Sequence, residues 1–206
     1  MKVLVTCGPT WMPIDDVRVI SNVSSGEMGH LIAQEFKKNG AQVTVIEGPV
    51  TRVLTDKKIK IIKYSFFDEV ASALKKELGK KYDIVVHAAA VSDFRVKGVT
   101  KNKISSDKAL TLNLIPTQKL IEVIKRLSPK SFLVGFKLEP VLNSKNILKS
   151  VQSLFVSAQC DLVVANTLAG GYKGFMVDAA GKELTKTDSK QLLAKNLTTV
   201  SLRGAK

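Results

Sequence analysis

The opening stretch of the chain decides the fold, and from Lys2 to Gly29 it reads KVLVTCGPTWMPIDDVRVISNVSSGEMG. The apolar run Lys2–Thr6 stops at a Gly-Pro pair, which is the pattern of a short buried strand. Apolar residues then recur at helical spacing and stop before a glycine, which predicts a helix over Gly26–Asn39. A strand that leads through a long polar loop into a helix is the opening unit of an α/β fold.

The rest of the chain keeps this alternation of strands and helices. Further strands are predicted over Gln42–Glu47, Ile59–Ile62, Asp83–His87, Ala109–Leu114, Ser131–Phe136 and Asp161–Ala165, a hairpin from Gly174–Asp178, and helices over Phe67–Leu78, Gln118–Leu127, Asn146–Ala158 and Ser189–Leu202. The pattern predicts an α/β fold, a Rossmann-like, mostly parallel sheet with helices on both faces. No repeat or linker interrupts it, so residues 1–206 are expected to form a single domain.

The composition argues against several classes of protein. A chain of 206 residues with 45% hydrophobic residues suits one globular domain. No stretch approaches the roughly 18 apolar residues of a membrane helix, and the N-terminus does not resemble a secretory signal. Cys7 and Cys160 share no metal-site or redox spacing and His30 and His87 lie far apart, so no metal site is predicted. Free thiols fit a reducing, cytoplasmic compartment.

The net charge of +14 comes from 32 Lys and Arg against 18 Asp and Glu. Such an excess attracts either nucleic acid or small polyanions such as nucleotides and phosphate esters. The basic residues are dispersed and the few aromatic residues do not interleave with them, so no nucleic-acid partner is predicted. A generally positive, solvated surface is the simplest interpretation of this charge.

In the predicted sheet, ligands bind at the carboxyl ends of the strands, which directs attention to the loops that follow them. In the first loop Ser24, Ser25 and Gly26 stand at a helix start, where hydroxyls, free N–H groups and the helix dipole favour a phosphate. A simple helix cap by Ser24 or Ser25 is an equally good interpretation. The loop lacks G-x-G-x-x-G, which disfavours an NADP-dependent reductase.

Two later segments carry the other candidate residues. The loop Ala88–Phe94 reads AAAVSDF, and its small residues allow a flat ring to approach the backbone, whose polar groups could recognise a base. Asp93 could accept from that base or hold a metal-bound phosphate, although an Asp in such a loop more often stabilises a turn. The polar segment Lys101–Lys108 is predicted to be mobile, and a lysine in it could close over a triphosphate. An ordinary exposed lysine is the alternative.

The motif GPTxxPIDxVRxISNxSSGxMG, from Gly8 to Gly29, resembles the signature of phosphopantothenate–cysteine ligases. The resemblance continues in family order through Gly48-Pro49-Val50, Ala89 to Phe94, Lys103-Ile104, Pro116-Thr117, Gly135-Phe136, Ala165-Asn166 and Gly174-Phe175. It covers essentially the whole chain. The family often carries this ligase as the C-terminal half of a bifunctional protein with a flavin-dependent decarboxylase. The chain resembles the stand-alone form, which implies a single ligase domain and a separate decarboxylase that acts on its product.

The resemblance implies a two-step reaction in coenzyme A synthesis. The carboxylate of 4′-phosphopantothenate attacks the α-phosphate of CTP and releases pyrophosphate, and the acyl-cytidylate then reacts with the amine of L-cysteine and releases CMP. Lys103 matches the lysine that serves the first step, and Asn22 matches the asparagine that handles the acyl intermediate. The implied nucleotide site consists of Ala89, Asp93, Lys103, Pro116, Thr117, Gln118 and Phe136, and Mg²⁺ accompanies the triphosphate. The family also implies a homodimer, for which the segment Thr167–Leu184 could supply strands.

The chain departs from the family near the phosphates. Bacterial members carry nucleotide-binding lysines on the helix before the Asp161 strand, where this chain has Leu154 and Ala158, with Lys145 and Lys149 one to three turns earlier. ATP therefore stays open beside CTP as the nucleotide. Two other functions also stay open, a Rossmann-type NADP-dependent reductase and a non-catalytic nucleotide-binding protein.

Overall fold

The computed structural model describes residues 1–51, 54, 56–143 and 146–205. Along the chain the elements are β1 (Lys2–Cys7), β2 (Trp11–Pro13), β3 (Val19–Ser21), α1 (Glu27–Lys38), β4 (Gln42–Glu47), β5 (Lys60–Lys63), α2 (Phe67–Leu78), β6 (Ile84–His87), β7 (Phe94–Val96), β8 (Leu114–Pro116), α3 (Leu120–Leu127), β9 (Phe132–Leu138), α4 (Ile147–Val156), β10 (Leu162–Thr167), β11 (Lys173–Asp178), β12 (Glu183–Thr187) and α5 (Lys190–Gly204). The described strands form a main sheet of eight, in the order β12-β11-β10-β9-β6-β1-β4-β5. The six strands from β10 to β5 run parallel, and β11 and β12 form an antiparallel hairpin at one edge.

Helices cover both faces of this sheet, as the sequence predicts. On one face α1 and α5 bury Phe36 and Leu193 against Val5 of the central strand β1. On the other face α2, α3 and α4 pack against Leu4 and Leu133. Side chains alternate between the two faces of a strand, so β1 contributes to both cores. None of the helices in the described ranges is both long enough and apolar enough to cross a membrane.

The prediction of a strand over Ala109–Leu114 is wrong. Within this described stretch only Leu114 belongs to a strand, the short β8, which pairs with β7 in a separate two-stranded ribbon. The apolar residues alternate, but the central strand β6 is already paired with β1 on one side and β9 on the other, which leaves no free edge there. Alternating residues that find no free sheet edge remain irregular, and Leu110 stays half-exposed.

The first loop contains a hairpin that the sequence did not reveal. Strands β2 and β3 pair antiparallel across it, with Met12 opposite Ile20. The side of this hairpin contacts the β7–β8 ribbon. The two small ribbons therefore stand together above the carboxyl edge of the main sheet, where ligands bind in folds of this kind.

The fold is tightly packed where α1 crosses the end of β1. A Cβ atom added at Gly29 would clash with the Cβ of Cys7, so only glycine allows the helix to lie this close to the strand. The turn before the helix also depends on glycine, because Gly26 has a φ of 73° and an added Cβ would lie 2.6 Å from Cγ1 of Val50. These contacts fix the start of α1 against the loops that follow β1 and β4.

We predict that Gly29→Ala lowers the free energy of unfolding by about 1–3 kcal/mol, the usual cost of forcing a methyl group into a packed core. Urea denaturation measures this change. The matched control is Gly79→Ala at the end of α2, where φ is −63° and the carbonyl oxygen of Lys76 would lie 3.6 Å from the added methyl group. That control should be neutral or stabilise by about 0.4–1 kcal/mol. Equal destabilisation by the two variants would contradict the close approach.

Candidate functional site

The first loop, between β1 and α1, and the second loop, after β6, are joined by hydrogen bonds. The backbone N–H of Ala90 donates to the carbonyl oxygen of Gly8 at 2.9 Å. The N–H of Ser92 donates to the hydroxyl oxygen of the buried Thr10, also at 2.9 Å. The two loops that the sequence singled out therefore form one surface at the carboxyl edge of the sheet.

Asn22 spans the two loops. Its side-chain Nδ2 donates to the carbonyl oxygens of Ala90 and Val91, at 3.1 and 3.2 Å. The side chain is exposed, so a substrate can reach it. The amide that the family resemblance assigns to the acyl intermediate thus holds the loops together in this structure.

A buried imidazole supports the second loop from below. Nδ1 of His87 lies 2.9 Å from Oγ1 of Thr6, and the N–H of Ala89 donates to the same hydroxyl oxygen at 3.2 Å. Burial lowers the pKa of His87 to about 4, so its ring is uncharged at neutral pH. The hydroxyl can then donate to His87 while it accepts from Ala89, which fixes the backbone at the predicted base site. Sequence reasoning missed this role because residues 6 and 87 meet only through the pairing of β1 with β6.

The segment around Lys103 is fastened to the first loop by one buried carboxylate. Oδ1 of Asp15 accepts from the N–H groups of Val17 and Arg18, at 2.9 and 2.7 Å. Oδ2 accepts from Nη1 of Arg18 at 2.8 Å and from the N–H of Ile104 at 3.0 Å. The same Arg18 nitrogen also donates to the carbonyl oxygen of Ile104 at 3.0 Å. These hydrogen bonds, the one from Ile104 foremost, lower the pKa of Asp15 to about 2.

A second acid holds the other side of Lys103. Oδ2 of Asp16 accepts from the N–H of Asn102 at 2.7 Å, so both chain neighbours of Lys103 are tied to the first loop. The segment predicted to be mobile is therefore anchored on both sides of its lysine, and the Lys103 side chain is exposed. The acids stand in a visible motif, but their partners lie more than 80 residues away, so sequence spacing could not reveal the link.

Hydrogen bonds also join the second loop to the residues after β8. The N–H of Thr117 donates to the carbonyl oxygen of Asp93 at 2.9 Å. The side-chain hydroxyl of Thr117 donates to the backbone carbonyl oxygen of Ser92 at 2.7 Å. The carboxylate of Asp93 is exposed and accepts from Nζ of Lys119 at 2.6 Å. Asp93 and Thr117, two of the predicted nucleotide residues, are therefore neighbours.

Three further predicted nucleotide residues lie at the end of β8, just after it, or on β9. Pro116 ends β8 and Gln118 is exposed immediately after Thr117. Phe136 lies on β9, one residue beyond the pairing of Gly135 with His87, and is half-buried against the core beneath α1. The structure thus places all of these residues beyond or near the ends of β6, β8 and β9.

The start of α1 is left available for an anion. Its N-cap residue is Gly26, which has no side chain that could cap the helix. The hydroxyl oxygens of Ser24 and Ser25 accept only long hydrogen bonds of 3.4 Å, from the N–H groups of Gly26 and Glu27. Unpaired N–H groups and the helix dipole at such a terminus favour a phosphate. Phosphate binding by these residues stays a prediction.

The positions of the family's helix lysines are apolar core here. Ala158 is buried and Leu154 is half-buried, and both belong to the core on the face that α2, α3 and α4 cover. Lys149 is exposed on α4, and Lys145 lies outside the described residues. The cations that bacterial relatives place on this helix therefore have no counterpart at Leu154 or Ala158.

The protein offers few ligands for magnesium at this edge. Within the described ranges, the one group of His, Cys, Asp or Glu close enough to share an ion is Cys7, His30 and Glu47, and Mg²⁺ does not prefer thiol or imidazole. Asp15 is saturated with hydrogen bonds and Asp93 is ion-paired.

Three comparisons bear on identity. A coenzyme A biosynthesis bifunctional protein, CoaBC of Thermococcus kodakarensis, is 43% identical over 189 residues, which are 90% of this chain and 46% of that protein. The chain spans about half the length of the curated relatives it matches. The DNA/pantothenate metabolism flavoprotein of Streptococcus pneumoniae superposes with a TM-score of 0.87 at 23% identity, over 99% of both chains. A Cab2 mutant solved in complex with phosphopantothenate-cysteine superposes with a TM-score of 0.79 at 19% identity, over 99% of this chain and 86% of that one.

The structural likenesses confirm the predicted fold. The family model for the DNA/pantothenate metabolism flavoprotein C-terminal domain matches residues 1–201, nearly the whole chain. The motifs at the start of the chain and in the second loop lie within that match, and they are the segments that form the candidate site. The chain therefore belongs to the family of the C-terminal domain of DNA/pantothenate metabolism flavoproteins.

Proposed function

We propose that the chain joins 4′-phosphopantothenate to L-cysteine in coenzyme A biosynthesis, through an acyl-nucleotide formed from CTP. Its family and its Thermococcus kodakarensis relative, a coenzyme A biosynthesis protein, support the pathway. The Cab2 complex with phosphopantothenate-cysteine supports the substrates. The observation that carries the proposal is the meeting of a small-residue loop, an exposed amide and an anchored lysine at one sheet edge.

The first step forms an acyl-nucleotide. A carboxylate oxygen of 4′-phosphopantothenate bonds to the α-phosphorus of CTP, and the bond from that phosphorus to pyrophosphate breaks. Negative charge then grows on the phosphoryl oxygens, and a positioned cation stabilises it. Lys103 is that cation, held in place because Asp15 and Asp16 anchor the backbone on either side of it. Magnesium, when bound to the triphosphate, neutralises its remaining charge.

The second step transfers the acyl group. The amine nitrogen of cysteine bonds to the acyl carbon and loses a proton to solvent, negative charge develops on the carbonyl oxygen, and CMP leaves as the carbonyl forms again. An amide N–H of Asn22 donates to that oxygen once it leaves the carbonyl of Ala90 or Val91. The phosphate of phosphopantothenate lies at the start of α1, where Gly26 leaves the helix uncapped.

The alternative of a Rossmann-type NADP-dependent reductase has less support. In such enzymes a tight glycine turn leads the first strand directly into the helix that binds the pyrophosphate. Here β1 ends at Cys7 and α1 begins at Glu27, with the β2–β3 hairpin between them. A non-catalytic nucleotide-binding protein shares this geometry, and turnover separates it from the ligase.

We place the protein in the cytoplasm as a homodimer, with a decarboxylase that acts on the product of the ligase. The segment Thr167–Leu184 supports the dimer, because it contains β11 and leads into β12, the strand at the edge of the main sheet. Light scattering after size exclusion measures the oligomeric state.

Pyrophosphate release with phosphopantothenate, cysteine and each nucleoside triphosphate tests the function and the base together. We expect release, with a higher kcat/KM for CTP than for ATP, because hydrogen bonds at Ala89 and Asp93 recognise the base. Asp93→Ala should reduce the CTP preference by about tenfold or more, as expected for a lost hydrogen bond to a base edge. Lys119→Ala is the matched control and should leave the preference unchanged, since a point charge discriminates little between bases.

A clear preference for ATP would contradict the assignment of the base site. No release with any nucleotide, from a chain that is folded and monodisperse, would contradict the ligase itself.

Asp15→Asn should slow acyl-nucleotide formation by about 10²-fold, because an amide group would face the N–H of Ile104 and release the segment that positions Lys103. Asp16→Asn is the matched control, since asparagine still accepts from the N–H of Asn102 and should cost little. Lys103→Ala sets the reference, with an expected loss of about 10²–10³-fold. Pyrophosphate release measures all three variants. A wild-type rate for Asp15→Asn beside an impaired Lys103→Ala would show that the anchor is not needed.

Asn22→Asp should separate the two half-reactions. An ionised aspartate cannot donate to an acyl oxygen, so the acyl-nucleotide should form and accumulate while the product falls by about 10²-fold. Rapid quench with labelled CTP shows the intermediate. The aspartate would also repel the carbonyl oxygens of Ala90 and Val91. If that loosening of the loops is the whole effect, both steps will fall equally, and Asn22 only shapes the site.

A further inference from the structure

A second polar cluster lies buried beneath the start of α1, apart from the loops of the candidate site. It consists of Cys7 at the end of β1, His30 in the first turns of α1 and Glu47 at the end of β4. A sulfur, a ring nitrogen and a carboxylate oxygen of these residues all lie within 4.8 Å of one another. The three residues are buried, with exposures of 0% for Cys7 and Glu47 and 9% for His30.

The fold itself brings these side chains together. Cys7 and Glu47 are direct partners in the register of β1 with β4. His30 follows Gly29, the residue whose missing side chain lets α1 approach Cys7. The sequence predicted no metal site because the two histidines are far apart along the chain. A site built from one histidine, one cysteine and one glutamate on different elements has no characteristic spacing in the sequence, so a motif search cannot find it.

The buried carboxylate of Glu47 needs a positive charge or hydrogen bonds nearby. A carboxylate that is removed from water is unstable unless an opposite charge or hydrogen bonds compensate it. Oε1 of Glu47 lies 2.6 Å from Nε2 of His30, and Oε2 pairs with the ammonium group of Lys63. Lys63 reaches in from β5, an edge strand, and 54% of its side chain is exposed. The ammonium group can therefore leave to solvent and open a path to the carboxylate.

We propose that Cys7, His30 and Glu47 form a binding site for a zinc-class divalent cation, for which Lys63 is the competing cation. Zn²⁺ binds thiolate, imidazole nitrogen and carboxylate oxygen with tetrahedral geometry, and a water completes the fourth position. On binding, the Cys7 thiol releases its proton to solvent, the Lys63 ammonium group leaves Glu47, and the neutral His30 ring keeps its one proton on the nitrogen that does not bind the ion.

Charge is balanced in both states of the site. Without the ion, one carboxylate faces one ammonium group. With the ion, a charge of +2 faces one thiolate and one carboxylate. Mg²⁺ and Ca²⁺ are poor alternatives, since both prefer an all-oxygen set of ligands. A bound ion would link β1, α1 and β4, the elements that support the first loop.

Cobalt(II) titration of the full chain, without substrates, tests the site. We expect one Co²⁺ per chain, tetrahedral d–d bands, a thiolate-to-cobalt charge-transfer band, and loss of these bands when Zn²⁺ is added. Cys7→Ser should abolish the charge-transfer band, whereas Cys160→Ser, at the other buried cysteine, should keep it. Lys63→Gln removes the competing charge and should tighten Co²⁺ binding by about tenfold, the order by which groups around a metal site change affinity.

Absence of the charge-transfer band in the wild type would overturn the site, as would a band that persists in Cys7→Ser. If Cys7→Ser does not fold, His30→Asn replaces it and should weaken binding by about tenfold or more. Unchanged or weaker binding by Lys63→Gln would overturn the competition. Because no substrate is present, failure of this test leaves the proposed ligase activity unaffected.

Discussion

The contact between α1 and the end of β1 determines where the candidate site can form. Gly29 allows the helix to lie against Cys7, and Gly26 turns the chain with a positive φ immediately before the helix. A larger residue at either position would push the helix away from the sheet edge. Because the helix start is fixed there, the long first loop must return across the ends of β1 and β6, where Asn22 and Ala90 meet.

Electrostatic anchoring then converts these loops into a site that could perform chemistry. The buried carboxylate of Asp15 accepts four hydrogen bonds, and one of them reaches the segment that carries Lys103. Preorganisation of this kind matters because a charge that is already in place costs no reorganisation when the reaction occurs. The neutral His87 has a comparable role beneath Ala89, since it orders the backbone without adding a charge.

Most of the main sheet could be predicted from the sequence, because buried strands and amphipathic helices carry periodic apolar residues. Ala109–Leu114 was the exception, since alternation does not show whether a sheet edge is free. The first motif identified the loops and the family. It could not show that Asp15 contacts Ile104, because that contact joins residues 89 positions apart. The proximity of Cys7 and Glu47 likewise follows from strand register, which no local pattern specifies.

The most direct test of the proposed chemistry follows one oxygen atom. If the carboxylate attacks the α-phosphorus and cysteine then attacks the acyl carbon, the bridging oxygen leaves with the nucleotide. Phosphopantothenate with a heavy oxygen isotope in its carboxylate should therefore yield CMP that carries one labelled oxygen, which mass spectrometry detects. Label in inorganic phosphate, together with a nucleoside diphosphate, would mean attack at the γ-phosphorus and would contradict the acyl-nucleotide mechanism.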